Sequence, residues 1–123
     1  MGGILQKDYK IKYTYSSRDD IRGLKKYILN NFKYRELGEN LTKKIKTAVD
    51  GLRTLPMGYN ATGIQYRGYE IYLKPHRTYL LFYIVDDKLS VVTILRVLQD
   101  GMNWQYILKR WIEEQDRNEK NRY

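Results

Sequence analysis

Thr78-Tyr79-Leu80-Leu81-Phe82-Tyr83-Ile84-Val85, then Asp86-Asp87-Lys88, then Leu89-Ser90-Val91-Val92-Thr93-Ile94-Leu95-Arg96-Val97-Leu98, is the stretch that decides the fold. Both runs are dense in β-branched and aromatic residues, the composition of strands. Apolar residues fill odd and even positions alike, so each strand needs cover on both faces and belongs in the middle of a sheet. The three polar residues between the runs are too few for a crossover, which requires antiparallel neighbours. Upstream, Tyr69–Lys74 is a third strand, joined through a predicted turn at Lys74-Pro75-His76-Arg77, and Ile64–Arg67 a possible short fourth.

Working further outward, the period changes from two to about 3.6. Ile21, Leu24, Ile28 and Phe32 recur at helical spacing, with Ser16 or Ser17 as an expected N-cap and Asp19 and Asp20 in the first turn. A second apolar stripe runs Tyr34, Leu37, Leu41, Ile45, Ala48, Leu52 and Leu55 until Pro56 and Gly58 stop it. Two helices on so short a link should pack as a hairpin and cover one sheet face. Before them, Tyr9–Tyr15 alternates aromatic or β-branched residues with lysine, a half-buried first strand. After the last strand Asp100-Gly101 breaks the chain, and Trp104, Ile107, Leu108, Trp111 and Ile112 form one helical face for the other side of the sheet. The expected class is α+β: an N-terminal strand, an αα-hairpin, an antiparallel three- to four-stranded meander and a C-terminal helix. Residues 9–112 should be a single domain, residues 1–8 a flexible N-terminus and 113–123 a charged, fraying tail.

The formal net charge is +9, with 23 Lys and Arg against 14 Asp and Glu among 123 residues. Residues 1–58 hold 13 of those basic and 6 of those acidic side chains, so most of the positive field lies in the first half. Such a field attracts phosphate or an acidic protein; lysines on solvated helix faces are the plainer reading. Having no cysteine and one histidine, His76, the chain lacks the material for thiolate or multi-histidine metal sites. No apolar run approaches the roughly 20 residues of a membrane span, and the N-terminus has no signal-peptide core. A cytoplasmic location is expected, with no metal and no small-molecule cofactor.

The run Tyr69-Glu70-Ile71-Tyr72-Leu73, then Tyr79–Asp87, then Ile94-Leu95-Arg96-Val97-Leu98-Gln99-Asp100-Gly101-Met102-Asn103-Trp104 resembles the RelE/ParE toxin superfamily. The middle strand is similar to that family's Y-x-L-x-F-Y-x-V-D-D strand, and the last to its closing I-L-R-V-L-H-x-x-M-D-W. The closing motif is closer to the ParE branch. The resemblance covers residues 9–112 and implies the toxin of a bacterial type II toxin–antitoxin pair, with a cognate acidic antitoxin that folds on binding. A ParE-like toxin implies contact with a DNA topoisomerase such as gyrase, and a RelE-like one implies metal-independent cleavage of mRNA at the ribosome. The basic residues that RelE ribonucleases carry on these strands are replaced by Glu70, Tyr72, Leu80 and Gln99 or Asp100. A phosphorane-like charge would find little stabilisation there. A basic nucleic-acid-binding module outside any toxin system is the third reading.

Arg96, Gln99, Met102 and Trp104, with Lys43 and Lys46 on the helix pair, are the expected antitoxin or target contacts. Were the chain a ribonuclease, Lys74, His76, Arg77, Arg96 and Tyr106 would be its candidates for acid–base and phosphate-binding roles. Each has a structural alternative. Arg96 would be an edge arginine bonded to Asp100 or Asp87, the Lys74–Arg77 cluster a polar hairpin tip, and Trp104 and Trp111 core. Most of the 13 tyrosines would be strand residues, with Tyr106 off the apolar helix face and exposed.

Overall fold

The structure, a computed structural model, describes residues 8–32 and 35–120. The N-terminal residues 1–7, Tyr34 and Tyr123 lie outside the described residues. Strands β1 (Lys10–Tyr13), β2 (Asn60–Tyr66), β3 (Tyr69–His76), β4 (Tyr79–Asp86) and β5 (Val91–Gln99) form one sheet in the order β1-β5-β4-β3-β2. The meander β2 to β5 is antiparallel throughout, while β1 joins the outer edge of β5 in parallel. Helices α1 (Tyr15–Phe32) and α2 (Arg35–Asp50) lie on one face and α3 (Trp104–Lys120) on the other.

Two-sided burial follows from the doubly apolar strands. Leu81 and Tyr83 of β4 meet Val92, Ile94 and Val97 of β5 beneath Leu41, Ile45 and Val49 of α2. Leu80 and Phe82 meet Leu95 and Leu98 beneath Leu108 and Trp111 of α3. Each fully buried aliphatic or aromatic side chain contributes about 1.5–3 kcal/mol. The tryptophans are core residues: the Trp104 ring lies 5.3 Å from Phe82 and that of Trp111 5.0 Å from Tyr66. Where α1 meets α2, Gly38 is buried with Lys25 Cγ 3.0 Å from the place a Cβ would occupy, so a larger residue would part the helices.

The junction of β1, α1 and β5 holds the layers together. Opposite Phe82, β5 carries a bulge in which Leu95 is the extra residue. Beyond Ile94 the strand loses β1 as a neighbour, because the chain turns at Thr14 into α1. Thr14 Oγ1 donates to the Leu95 carbonyl at 2.8 Å and accepts the Ser17 N–H at 3.0 Å, capping the helix while tying it to the sheet. One helical turn on, the Asp20 carboxylate receives Arg96 Nε and Nη2 at 2.7 and 2.8 Å and the Val97 N–H at 2.9 Å. Trp111 Nε1 donates to Ser16 Oγ at 2.7 Å, fastening α3 to the same turn.

Several expectations are corrected. The cap is Thr14 rather than Ser16 or Ser17, so α1 starts earlier and Asp19 and Asp20 fall outside its first turn. Tyr15 opens that helix and is exposed. Strand β3 continues through Pro75 to His76, and the turn is Arg77-Thr78. The proline is tolerated because β2 reaches only Leu73, leaving β3 an edge from Lys74 onward. The charged segment from Glu113 continues α3 as far as Lys120; Glu113 and Arg117 stand at the i, i+4 spacing that supports an exposed helix.

Asp20→Ala strips Arg96 and the Val97 N–H of their acceptor, and urea unfolding is expected to show a loss of about 3 kcal/mol. Adding Arg96→Met should recover part of it, since the orphaned charge leaves too. A single-variant loss near the ~0.5 kcal/mol of a surface pair would contradict this role for Asp20.

Candidate functional site

The basic residues divide into those used by the fold and those presented to solvent. Lys74 belongs to the first group. It is buried, with Nζ donating to the Ala48 carbonyl at 2.6 Å and lying 5.0 Å from the centre of the Tyr59 ring. The ammonium serves one of the carbonyls that α2 leaves unsatisfied at its end. Arg96 is likewise used: only 18% of its side chain is exposed, and both oxygens of Asp20 hold the guanidinium. Its partner is therefore neither Asp100 nor Asp87.

Five of the solvent-facing cations border two grooves of the helix pair. Beside the β3–β4 turn, Lys44 and Arg77 border a groove of about 400 Å³ whose apolar walls include Ile28, Leu37, Leu41 and Tyr79. His76 is half-buried at the same corner. Its pKa lies below the usual 6.5 because burial disfavours the imidazolium and Arg77, Lys74 and Lys44 repel it. Near β1, a second groove has Tyr13, Ile21 and Ile45 beneath Arg18, Arg22 and Lys46. Lys43 is exposed on the same helix as Lys46.

On the α3 side, Arg96 and Tyr106 border a shallow depression with Arg110 and Glu114, and Tyr106 is 58% exposed. Gln99 pairs with Tyr79 at the end of the sheet that carries the Arg77-Thr78 turn, and the Asp100 N–H donates to the Thr78 carbonyl at 2.7 Å. Gln99 and Met102 are exposed, whereas Trp104 packs inward. The named residues thus fall into four places: Lys74, His76 and Arg77 at one corner, Arg96 and Tyr106 under α3, Lys43 and Lys46 on α2, and Gln99, Met102 and Trp104 from the end of β5 to the start of α3. Arg18, Arg22 and Lys44 complete the grooves. Their helical spacing marks them as solvent-facing but gives no sign of which strand or turn they approach.

Among the described residues, no group of three His, Cys, Asp or Glu side chains is placed to hold a metal ion. No described helix is long and apolar enough to cross a membrane.

A sheet of this order, with a helix hairpin on one face and a terminal helix on the other, is the architecture of the RelE/ParE toxins. A chain of the chromosomal ParDE TA system from P. aeruginosa superposes with a TM-score of 0.60 at 13% identity, over 76% of this chain and 97% of that chain. The RelBE2 toxin–antitoxin complex of Mycobacterium tuberculosis gives 0.54 at 22%, over 78% and 95%. The archaeal RelE–RelB complex of Pyrococcus horikoshii OT3 gives 0.51 at 18%, over 76% and 97%. No curated protein matches significantly. The model of the ParE toxin of the type II toxin–antitoxin system parDE matches residues 11–104. The chain belongs to this ParE toxin family and is the toxin of a type II toxin–antitoxin system.

The single histidine makes its corner directly measurable. A proton-detected titration should place the His76 midpoint below 6.5. The unfolded chain then binds the proton more tightly, so stability falls as pH drops below about 6.5 and levels off beneath the folded midpoint. His76→Gln should remove that component; a midpoint at or above 6.5 would contradict the cationic, partly desolvated corner.

Proposed function

We propose that this toxin arrests growth by protein contact, in the manner of the ParE branch with a topoisomerase such as gyrase as target, and makes no covalent change itself. The observation that carries this reading is the internal use of the strand cations. Lys74 is spent on the Ala48 carbonyl and Arg96 on Asp20. Glu70, Tyr72, Leu80 and Gln99 or Asp100 stand where RelE-type ribonucleases carry basic groups. Cleavage at a 2′-hydroxyl without a metal needs a base and cations aimed at one phosphate; held guanidinium and ammonium groups are poorly placed to supply them.

The cognate antitoxin, in this reading, is an acidic segment that orders on the helix pair, over Arg18, Arg22, Lys43 and Lys46 and the apolar floor between them. The solved toxin–antitoxin complexes of the same fold support a cognate antitoxin as the partner. Gln99 and Met102 remain candidates for target contact, being exposed at or after the end of β5.

Induction in bacteria tests the reading. Growth should stop, messenger RNA should stay intact, DNA breaks or an SOS response should appear, and a co-expressed acidic protein from the neighbouring gene should restore growth. Messages fragmented at the ribosome would overturn it in favour of a ribonuclease.

A further inference from the structure

The corner beside the β3–β4 turn has features that the fold alone does not require. Lys44 and Arg77 both border its groove, and neither takes part in an ion pair among the described residues. No carboxylate is among the groups acting on His76 between them; every charge it senses there is positive. Arg77 also holds a left-handed backbone conformation, φ 57°, in a turn where glycine or asparagine would fit without strain. Arg67 and Ser90 share this conformation in the neighbouring turns; at this corner it carries a guanidinium to the groove mouth.

The walls say what kind of ligand fits. Ile28, Leu37 and Leu41 are aliphatic, and Leu37 is 43% exposed. Bases of a single strand bind by stacking on aromatic rings, of which the described lining of this groove holds one, Tyr79. Aliphatic walls under a pair of cations match an acidic, leucine-bearing helical segment. We infer that this groove is an anchoring site for such a segment of a protein partner, an apolar side chain lodging against Leu37 and Leu41 while a carboxylate one turn away is received by Lys44 and Arg77. It lies apart from the groove beside β1, which Arg18, Arg22 and Lys46 border. The assignment rests on the antitoxin reading for the source of the segment, and it adds a second point of attachment.

The test uses the whole chain and a labelled helical peptide with leucines along one face and glutamates one turn from each, followed by fluorescence anisotropy. Polyglutamate of equal length and a single-stranded DNA oligonucleotide serve as competitors. The peptide should bind, polyglutamate should compete weakly and the oligonucleotide should not displace it. Arg77→Gly should weaken binding about tenfold, the scale of one charge-assisted hydrogen bond, while the melting temperature holds or rises because the turn is relieved. Leu37→Ser should weaken it as well. Unchanged affinity in both variants, with loss only in Lys46→Gln, would overturn this site and leave the antitoxin reading standing. Displacement by the oligonucleotide would overturn the peptide assignment. No binding by the unaltered protein would overturn both.

Discussion

The carboxylate of Asp20 does the work of a missing strand. Once β1 has turned away at Thr14, β5 has backbone donors with no neighbour, and a bulge has just displaced Arg96 from the regular ladder. Three hydrogen bonds accepted by one side chain, two from the guanidinium and one from the Val97 amide, close that gap and fix α1 against the sheet. Unsatisfied, the same groups would be costly in a largely buried site. Thr14 and Ser16 extend the junction, one to the Leu95 carbonyl and one to Trp111, so both outer layers refer to the same turn of helix.

That arrangement sorts the charges. Arg96 and Lys74 balance an acidic side chain and a helix end, and are thereby withdrawn from chemistry on the sheet. Among the cations left to solvent, Arg18, Arg22, Lys44, Lys46 and Arg77 border the two grooves of the helix pair, where apolar floors lie close to them. A surface of that composition is suited to a folded or folding acidic protein more than to a scissile phosphate.

Much of the architecture was legible because the periodicities are strong. The two-sided strands at residues 79–86 and 91–99 required layers above and below, and Trp104, Leu108 and Trp111 supplied the lower one. What escaped was decided by single long-range bonds. The Arg96–Asp20 pair joins residues 76 apart in sequence, and nothing local marks Asp20 over Asp19. One trace existed: buried positions pass from Val92 and Ile94 to Leu95, Val97 and Leu98, and that slip in alternation is the bulge. Lys74 read as a turn residue because Pro75 suggested a break, yet an edge position accommodates proline and let the strand run on. Of the candidate site, Lys43, Lys46 and Tyr106 could be read as exposed from helical spacing, but the meeting of Lys44 with Arg77 depends on how α2 crosses the sheet.

Native-state hydrogen exchange at the Val97 amide reports most directly on whether one carboxylate stands in for the absent strand. That amide should be protected to the level of the central β4 amides, and Asp20→Ala should release it while those of Leu81 and Phe82 stay slow. Exchange of Val97 in the unaltered protein at the rate of an open edge would contradict the account.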